Sequence, residues 1–234
     1  MPLFSRKPAP ATPVEPDQWR PQQIPHGVRH MANAIVEPSW RGVRVLAWVT
    51  PQSCRFVDED GVDCSAEFAE IGGELSRSLD AGRATLDGYL TVEPTQETVG
   101  LGDPGMQVPS GGQVIAQMLV GGKVLSRGDR ADRADPVHHL DPDKPIAFVA
   151  VDLLQIDDAE LLDVPLMERK RLLEGALKPT ELIRVTPFVR SPVGSFEFTW
   201  RNLGFTELVY KSPNSRYLPG ADNEDWSLAP IRIR

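Results

Sequence analysis

The 234-residue sequence has only two cysteines, few aromatic residues and no long apolar run. Without about 18 consecutive apolar residues, no membrane-spanning helix is predicted, and no apolar segment near the start marks a signal peptide. Cys54 and Cys64 allow one disulfide, but two neighbouring cysteines are more typical of reduced thiols in a cytosolic protein. We therefore expect a cytoplasmic protein with one domain, or with one large and one small lobe.

Excess positive charge is also missing, since the formal net charge is −8. Residues 55–164 contain 22 acidic but only 8 basic residues. A protein that binds duplex DNA without sequence preference needs basic residues to replace the counterions of the phosphates. The acidic middle of the chain argues against strong non-specific DNA binding, and a local basic patch formed by the fold stays open as an alternative.

The first 25 residues contain seven of the 22 prolines. Proline has no backbone N–H and favours extended chain, so this composition predicts a flexible tail over residues 1–25 that makes few contacts. A ligand for a peptide-binding partner is the alternative use of the tail. The folded domain is then predicted to span residues 26–234.

Apolar patterning predicts several strands and two helices in the rest of the chain. Strands are expected over residues 43–49, 54–57, 85–92 and 146–154, with Gly61 in an acidic turn after the second strand. A helix capped by Ser65 is expected to run to about residue 79. A second helix is expected after Asp163, which would cap it. The core-facing residues of the two helices are predicted to be Phe68, Ile71, Leu75 and Leu79 in the first, and Leu166, Leu173 and Leu177 in the second.

The residues Glu37-Pro38-Ser39-Trp40-Arg41-Gly42-Val43-Arg44 resemble the strand-turn-strand that carries the nucleotide-accepting lysine of ATP-dependent DNA ligases. The family pattern there is Lys-x-Asp-Gly-x-Arg, usually after Glu-Pro. Gly42 and Arg44 match it, whereas Ser39 stands at the lysine position. Further segments resemble the same family in order, and together they cover residues 37–226. They are residues 85–92, 145–174 and 205–220, and the pair Asp225-Trp226.

This resemblance implies the α+β nucleotidyltransferase fold of ligase adenylation domains, which is ATP-grasp-like and has two antiparallel sheets with flanking helices. It also implies that the sequence ends where a ligase would continue into an oligonucleotide-binding-fold domain, so no such C-terminal domain is expected. Residues 93–143 match no family segment. A hairpin is predicted there between residues 114 and 125, and His138-His139 is interpreted as part of an acidic loop, with a metal site as the less favoured alternative.

The positions that carry chemistry in the family differ in this sequence. Serine has no amine with a lowered pKa and no base beside it. Tyr89 and Thr206 stand where the family has carboxylates, and a phenol is a poor ligand for a hard cation. Glu59 replaces an arginine that contacts phosphate in the family, and Val151 replaces an aromatic residue that stacks on adenine. The segment Ser227-Leu228-Ala229-Pro230 replaces two lysines that bind the α-phosphate.

We therefore predict a cleft that has lost its catalytic residues. We expect this cleft to be lined by Arg44, Tyr89, Val151 and Lys211 together with Ser39. No metal site is expected, and ATP is a possible ligand that binds without covalent transfer of its AMP. The predicted function is that of a pseudoenzyme that binds a nucleotide, a nucleic acid or a protein. Two alternatives stay open: an active ligase or nucleotidyltransferase of DNA repair and recombination that uses a displaced lysine, such as Lys123 or Lys144, and a structural partner in a repair assembly.

Overall fold

The computed structural model describes residues 16–27, 31, 33–92 and 145–231. A 3-10 turn at Pro16–Gln18 opens the described part of the chain. The helices among the described residues are α1 (Ala69–Ser78), α2 (Leu166–Ala176) and α3 (Ser195–Asn202). The strands are β1 (Ile35–Pro38), β2 (Val43–Thr50), β3 (Ser53–Asp58), β4 (Ala84–Thr91), β5 (Ala147–Ile156), β6 (Ala159–Glu160), β7 (Ile183–Val185), β8 (Val189–Arg190), β9 (Glu207–Lys211) and β10 (Trp226–Pro230).

The strands form two sheets. The larger sheet has the order β3-β2-β4-β5-β6, with β7 also paired to β5, and the smaller sheet has the order β10-β9-β1-β8. The predicted α+β architecture with two sheets is confirmed. Its strand pairs are antiparallel except that β7 runs parallel to β5. This exception arises because α2 lies between β5 and β7 in the chain, and a helical crossover returns the chain in the same direction.

Strand β5 is the centre of the fold, because its first eight residues are buried. Phe148 and Ala150 lie in the core between the larger sheet and helices α1 and α2, with Leu75 and Leu173 in the same cluster. Val149 and Val151 lie in a second cluster that faces the smaller sheet. A strand covered on both faces needs an almost continuous apolar sequence, which explains why residues 146–154 could be predicted as a strand.

The predicted strands and the apolar faces of both helices are present in the structure, but the two predicted helix caps are wrong. The Ser65 hydroxyl accepts a hydrogen bond from the Phe56 N–H at 2.9 Å instead, and α1 begins only at Ala69. Asp163 is exposed and pairs with Arg216 at 3.2 Å. At the start of α2, Leu166 and Met167 donate their backbone N–H groups to the carbonyls of Ser215 and Pro213. These tertiary contacts satisfy free donors of the first helical turn.

The prediction of a flexible tail over residues 1–25 is wrong for residues 16–25. The Trp19 side chain is 1% exposed and lies in a core cluster with Leu46 and Trp226. The Gln22 side chain is fully buried and accepts hydrogen bonds from the Leu218 N–H and from the Asn223 amide. Proline density therefore predicted extended chain but missed the docking. One large apolar side chain, together with the hydrogen bonds that the Gln22 amide oxygen accepts, is enough to anchor an extended segment.

Several predictions fall on residues outside the described ranges. They concern residues 1–15, the hairpin between residues 114 and 125, His138-His139, and the alternative nucleophiles Lys123 and Lys144. Among the described residues, no helix is both long and apolar enough to cross a membrane. The same part of the chain contains no group of three or more His, Cys, Asp and Glu side chains arranged to hold a metal ion.

Candidate functional site

A cleft lies between the two sheets, and we call it the inter-sheet cleft. It contains about 240 Å³ of empty space, part of which is open to solvent. The structure brings together here all five residues that were predicted to share a cleft: Ser39, Arg44, Tyr89, Val151 and Lys211. The remaining lining residues are Ile24, Glu37, Pro38, Trp40, Val209 and Trp226.

The turn between β1 and β2 positions Ser39. Strand β1 belongs to the smaller sheet and β2 to the larger one, so the chain changes sheets within residues 39–42. The Ser39 N–H donates to the Glu207 carbonyl at 3.0 Å, which fixes the residue beside β9. Gly42 has φ of +118°, and a Cβ there would lie 2.1 Å from the Leu90 carbonyl oxygen. This turn therefore needs glycine for both its conformation and its close approach to β4.

Arg44 forms one wall of the inter-sheet cleft and is held by the surrounding chain. Its Nε and Nη2 donate to the two oxygens of Asp87 at 3.1 and 2.7 Å, and its Nη1 donates to the Gln22 carbonyl at 2.8 Å. Burial alone would lower the pKa of Arg44, but the Asp87 carboxylate raises it above its ordinary value. Glu59 lies 3.6 Å from Nη1. The acidic residue at the family's arginine position thus faces a cation of this chain.

Two lysines share one carboxylate at the base of the inter-sheet cleft, and we call this group the lysine-glutamate triad. Lys170 of α2 and Lys211 of β9 lie 2.5 and 2.6 Å from the two oxygens of Glu37 on β1. All three side chains are about 2% exposed. The Lys211 Nζ also lies 3.9 Å from the centroid of the Trp226 ring, a cation–π contact. With both amines protonated, the triad has one excess positive charge, and this charge is buried away from water.

The environment of Lys211 weakens its hold on a proton. Burial lowers the pKa of Lys211 to about 8, against the attraction of Glu37 and with a further lowering by Lys170. Desolvation disfavours an ammonium ion, and a neighbouring ammonium adds repulsion. The amine of Lys211 therefore titrates much closer to neutral pH than an ordinary lysine does.

Comparison with known proteins gives a consistent result, although no family model matches the chain. DNA ligase 1 of Korarchaeum cryptofilum is 23% identical over 202 residues, which cover 85% of this chain and 33% of that ligase. A DNA ligase of Natronomonas pharaonis is 26% identical over 197 residues, or 82% of this chain and 31% of that protein. The chain thus spans about a third of the length of these curated relatives.

Solved structures show the same relationship at the level of the fold. The ligase domain of M. tuberculosis LigD matches with a TM-score of 0.64 and 24% identity, over 92% of this chain and 60% of that one. The chain resembles the adenylation domain of ATP-dependent DNA ligases. Its two sheets and their flanking helices are those of the ligase nucleotidyltransferase fold.

In this ligase-like cleft, two aromatic side chains that were not predicted to line it lie there together with Tyr89. Val151 offers no ring, but Trp40 and Trp226 both line the inter-sheet cleft. Trp40 is fixed by a 2.9 Å hydrogen bond from its Nε1 to the Thr186 hydroxyl. Burial raises the pKa of Tyr89 above its ordinary value, so its phenol stays neutral. Tyr89 therefore supplies a ring and a hydroxyl, but not the anionic oxygen that a magnesium ion prefers.

The lysine-glutamate triad was also missed as a group. The sequence shows Glu37 only within the Glu-Pro that precedes Ser39, and Lys170 only within residues 145–174, a segment that resembles the ligase family. Both residues lie in segments that resemble the ligase family, so each was visible singly. Nothing in the local sequence pairs them, because Glu37 and Lys211 are 174 positions apart in the chain.

Proposed function

We propose that this ligase-like chain is a pseudoenzyme domain that does not form a covalent adduct with AMP, and whose inter-sheet cleft binds a nucleotide or its phosphates without reaction. One observation supports this proposal above the others. The cleft residue at the family's lysine position is Ser39, and the amines of Lys170 and Lys211 are engaged by Glu37 at 2.5 and 2.6 Å.

Covalent nucleotide transfer needs a nucleophile with a base or a lowered pKa. Ser39 has a hydroxyl, and the carboxylate of the neighbouring Glu37 is engaged in ion pairs with Lys170 and Lys211. Tyr89 and Thr206 replace family carboxylates that would hold a metal ion, so the negative charge of a bound triphosphate would lack this compensation. The replaced lysines at residues 227–230 remove charge stabilisation that is typically worth about 3–4 kcal/mol in a transition state.

Non-covalent binding is the part of the proposal that the charges favour. The triad adds a net positive charge beside the inter-sheet cleft, and the Trp40 ring in its wall offers an aromatic surface to a base. A mycobacterial DNA ligase D with the same fold, at 22% identity and a TM-score of 0.64, has a solved structure in complex with ATP and MES. We extend this to ATP or AMP as the cleft ligand here. DNA or a protein is the alternative partner, and the acidic middle segment disfavours strong non-specific DNA binding.

Intact-mass spectrometry after incubation with ATP and magnesium tests the proposal. We expect the wild-type mass to stay unchanged. We expect the same of Ser39→Lys, because restoring the amine does not restore the missing carboxylates and lysines. Calorimetric titration with ATP should show binding that weakens in Lys211→Met. A mass increase of one AMP on the wild-type chain, reversed by pyrophosphate, would contradict the proposal.

One observation favours the second candidate, an active nucleotidyltransferase with a displaced lysine. Lys211 lines the inter-sheet cleft and has a pKa of about 8, so part of its amine is neutral in mild base. If an AMP adduct forms, peptide mapping will identify the modified residue. An adduct on Lys211 that disappears in Lys211→Met would make this chain an enzyme, whereas an adduct on Lys123 or Lys144 would support the nucleophiles expected from the sequence.

A further inference from the structure

The docked N-terminal segment crosses from one sheet to the other beside the inter-sheet cleft. On the larger sheet, the Trp48 indole donates to the Pro16 carbonyl at 3.2 Å, and Arg44 donates to the Gln22 carbonyl at 2.8 Å. On the smaller sheet, Leu228 of β10 accepts a hydrogen bond from Gly27 at 3.0 Å and donates one to Pro25 at 2.9 Å. The segment therefore connects both walls of the cleft.

Ile24 is the cleft-lining residue that this segment supplies. The other lining residues come from strands of the two sheets or from the turn after β1. Ile24 is partly buried and packs against the cluster that contains Val209 and Trp226, which also line the inter-sheet cleft. Its neighbours Gln23 and His26 are exposed. At this end of the segment, the Ile24 side chain is turned inward and its polar neighbours are turned to solvent.

The two ends of the segment differ in how firmly they are held. Trp19 and Gln22 are buried in the core, so this end is an anchor. Residues 23–27, which we call the strap, lie on the outer edge of β10 as a short parallel extension, with bridges of Gln23 to Asp222 and of His26 to Leu228. A few backbone hydrogen bonds at an exposed sheet edge open far more easily than a buried core does. Gly27, with φ of +132°, is able to take up a change of direction at the far end.

We propose that the strap is a gate of the inter-sheet cleft, with Ile24 as its closing side chain. With the strap in place, the space in the cleft that a water-sized sphere can reach is about 10 Å³, enough for about one water molecule. A ligand of nucleotide size therefore requires the strap to move away from β10 while Trp19 and Gln22 stay docked. This proposal rests on the proposed function only for the identity of the ligand; the opening of the cleft is independent of it.

A thiol placed at Ser39 measures the opening without any ligand. In a Cys54→Ser/Cys64→Ser background, the alkylation rate of Ser39→Cys by a maleimide reports access to the cleft. We expect Ile24→Ala to raise this rate about tenfold, which corresponds to roughly 1.4 kcal/mol of closing energy. The matched control Gln23→Ala should leave the rate unchanged, because its exposed side chain does not line the cleft. Equal rates for Ile24→Ala and the parent, at equal thermal stability, would overturn the gate.

A reversible crosslink between the strap and β10 tests the opposite effect, that of holding the gate closed. His26 and Leu228 face each other across the strap and β10, so His26→Cys/Leu228→Cys in the same cysteine-free background should pin the strap when oxidised. Calorimetric titration with AMP should show weaker binding in the oxidised form, and dithiothreitol should restore it. Equal AMP binding in both forms would overturn the gate. A lack of AMP binding in every variant, combined with faster alkylation in Ile24→Ala, would instead keep the gate and refute the nucleotide ligand.

Discussion

Replacing Glu37 by glutamine tests whether the fold depends on this carboxylate to hold the two buried lysines of the lysine-glutamate triad. The Glu37 carboxylate is the ion-pair partner of two buried amines, at 2.5 and 2.6 Å. Glutamine keeps the size and removes the charge, so Lys170 and Lys211 would face each other without an anion between them. Removing one partner of a buried ion pair typically lowers the free energy of unfolding by about 3–5 kcal/mol. We expect a loss in this range at pH 7.

Lys211→Met is the matched variant, because it removes the excess charge and keeps the pair of Glu37 with Lys170. Methionine has nearly the length of lysine, and its thioether can occupy the place over the Trp226 ring where the amine lies at 3.9 Å. We expect the free energy of unfolding at pH 7 to change by less than about 1.5 kcal/mol, and a gain in stability is compatible with the triad. The two variants therefore differ sharply although they alter the same contact.

The pH dependence follows from the Lys211 amine. Its pKa is about 8 in the folded chain against an ordinary value of 10.5. Between these pH values the unfolded chain holds a proton that the folded chain has released, so stability rises with pH. A difference of this size corresponds to about 3 kcal/mol, most of it gained between pH 8 and 10.5. Lys211→Met lacks the titrating amine, and its stability should lack this rise.

Urea denaturation, followed by tryptophan fluorescence at pH 7, 8, 9 and 10, measures the free energy of unfolding of the wild type, Glu37→Gln and Lys211→Met. The informative quantity is the difference between wild type and variant at each pH, because it cancels the titration of the other groups. Two results would refute the reasoning: a Glu37→Gln variant within about 1 kcal/mol of wild type at pH 7, or a Lys211→Met variant that is less stable than Glu37→Gln.

Two further predictions concern the scaffold of the cleft. Gly42→Ala should destabilise the chain by about 3 kcal/mol or more. The added Cβ would lie 2.1 Å from the Leu90 carbonyl oxygen, and the residue has a φ of +118°. The control Gly175→Ala has open space in α2 and should stabilise the chain by about 0.5–1 kcal/mol in thermal denaturation. Asp152→Asn should lower the free energy of unfolding in urea by about 3–5 kcal/mol, since the fully buried Arg169 loses a bidentate partner at 2.8 and 2.9 Å; a change below 1 kcal/mol would show that this pair is dispensable.

Local pattern determined much of the fold. The apolar run of β5 and the spacing of Phe68, Ile71, Leu75 and Leu79 on the first helix depend on periods of a few residues, which a sequence shows directly. Five of the residues that line the inter-sheet cleft were also predicted, through the order in which segments resemble the ligase family. Ser39, Arg44, Tyr89, Val151 and Lys211 converge because each lies on a strand, or the turn after one, whose place in the two sheets that resemblance implies.

Tertiary structure alone decided which distant polar groups meet. Glu37 joins Lys170 and Lys211 because β1 lies beside β9 with α2 packed nearby, and no short-range pattern records such a contact. The free backbone N–H groups at the start of α2 donate to the carbonyls of residues 213 and 215, and not to the aspartate three residues before the helix. In the same way, composition described residues 16–25 as extended chain, but Trp19 docks in a pocket built by residues far along the sequence. Burial of an anchor depends on the surface it meets, and that surface exists only once the sheets have assembled.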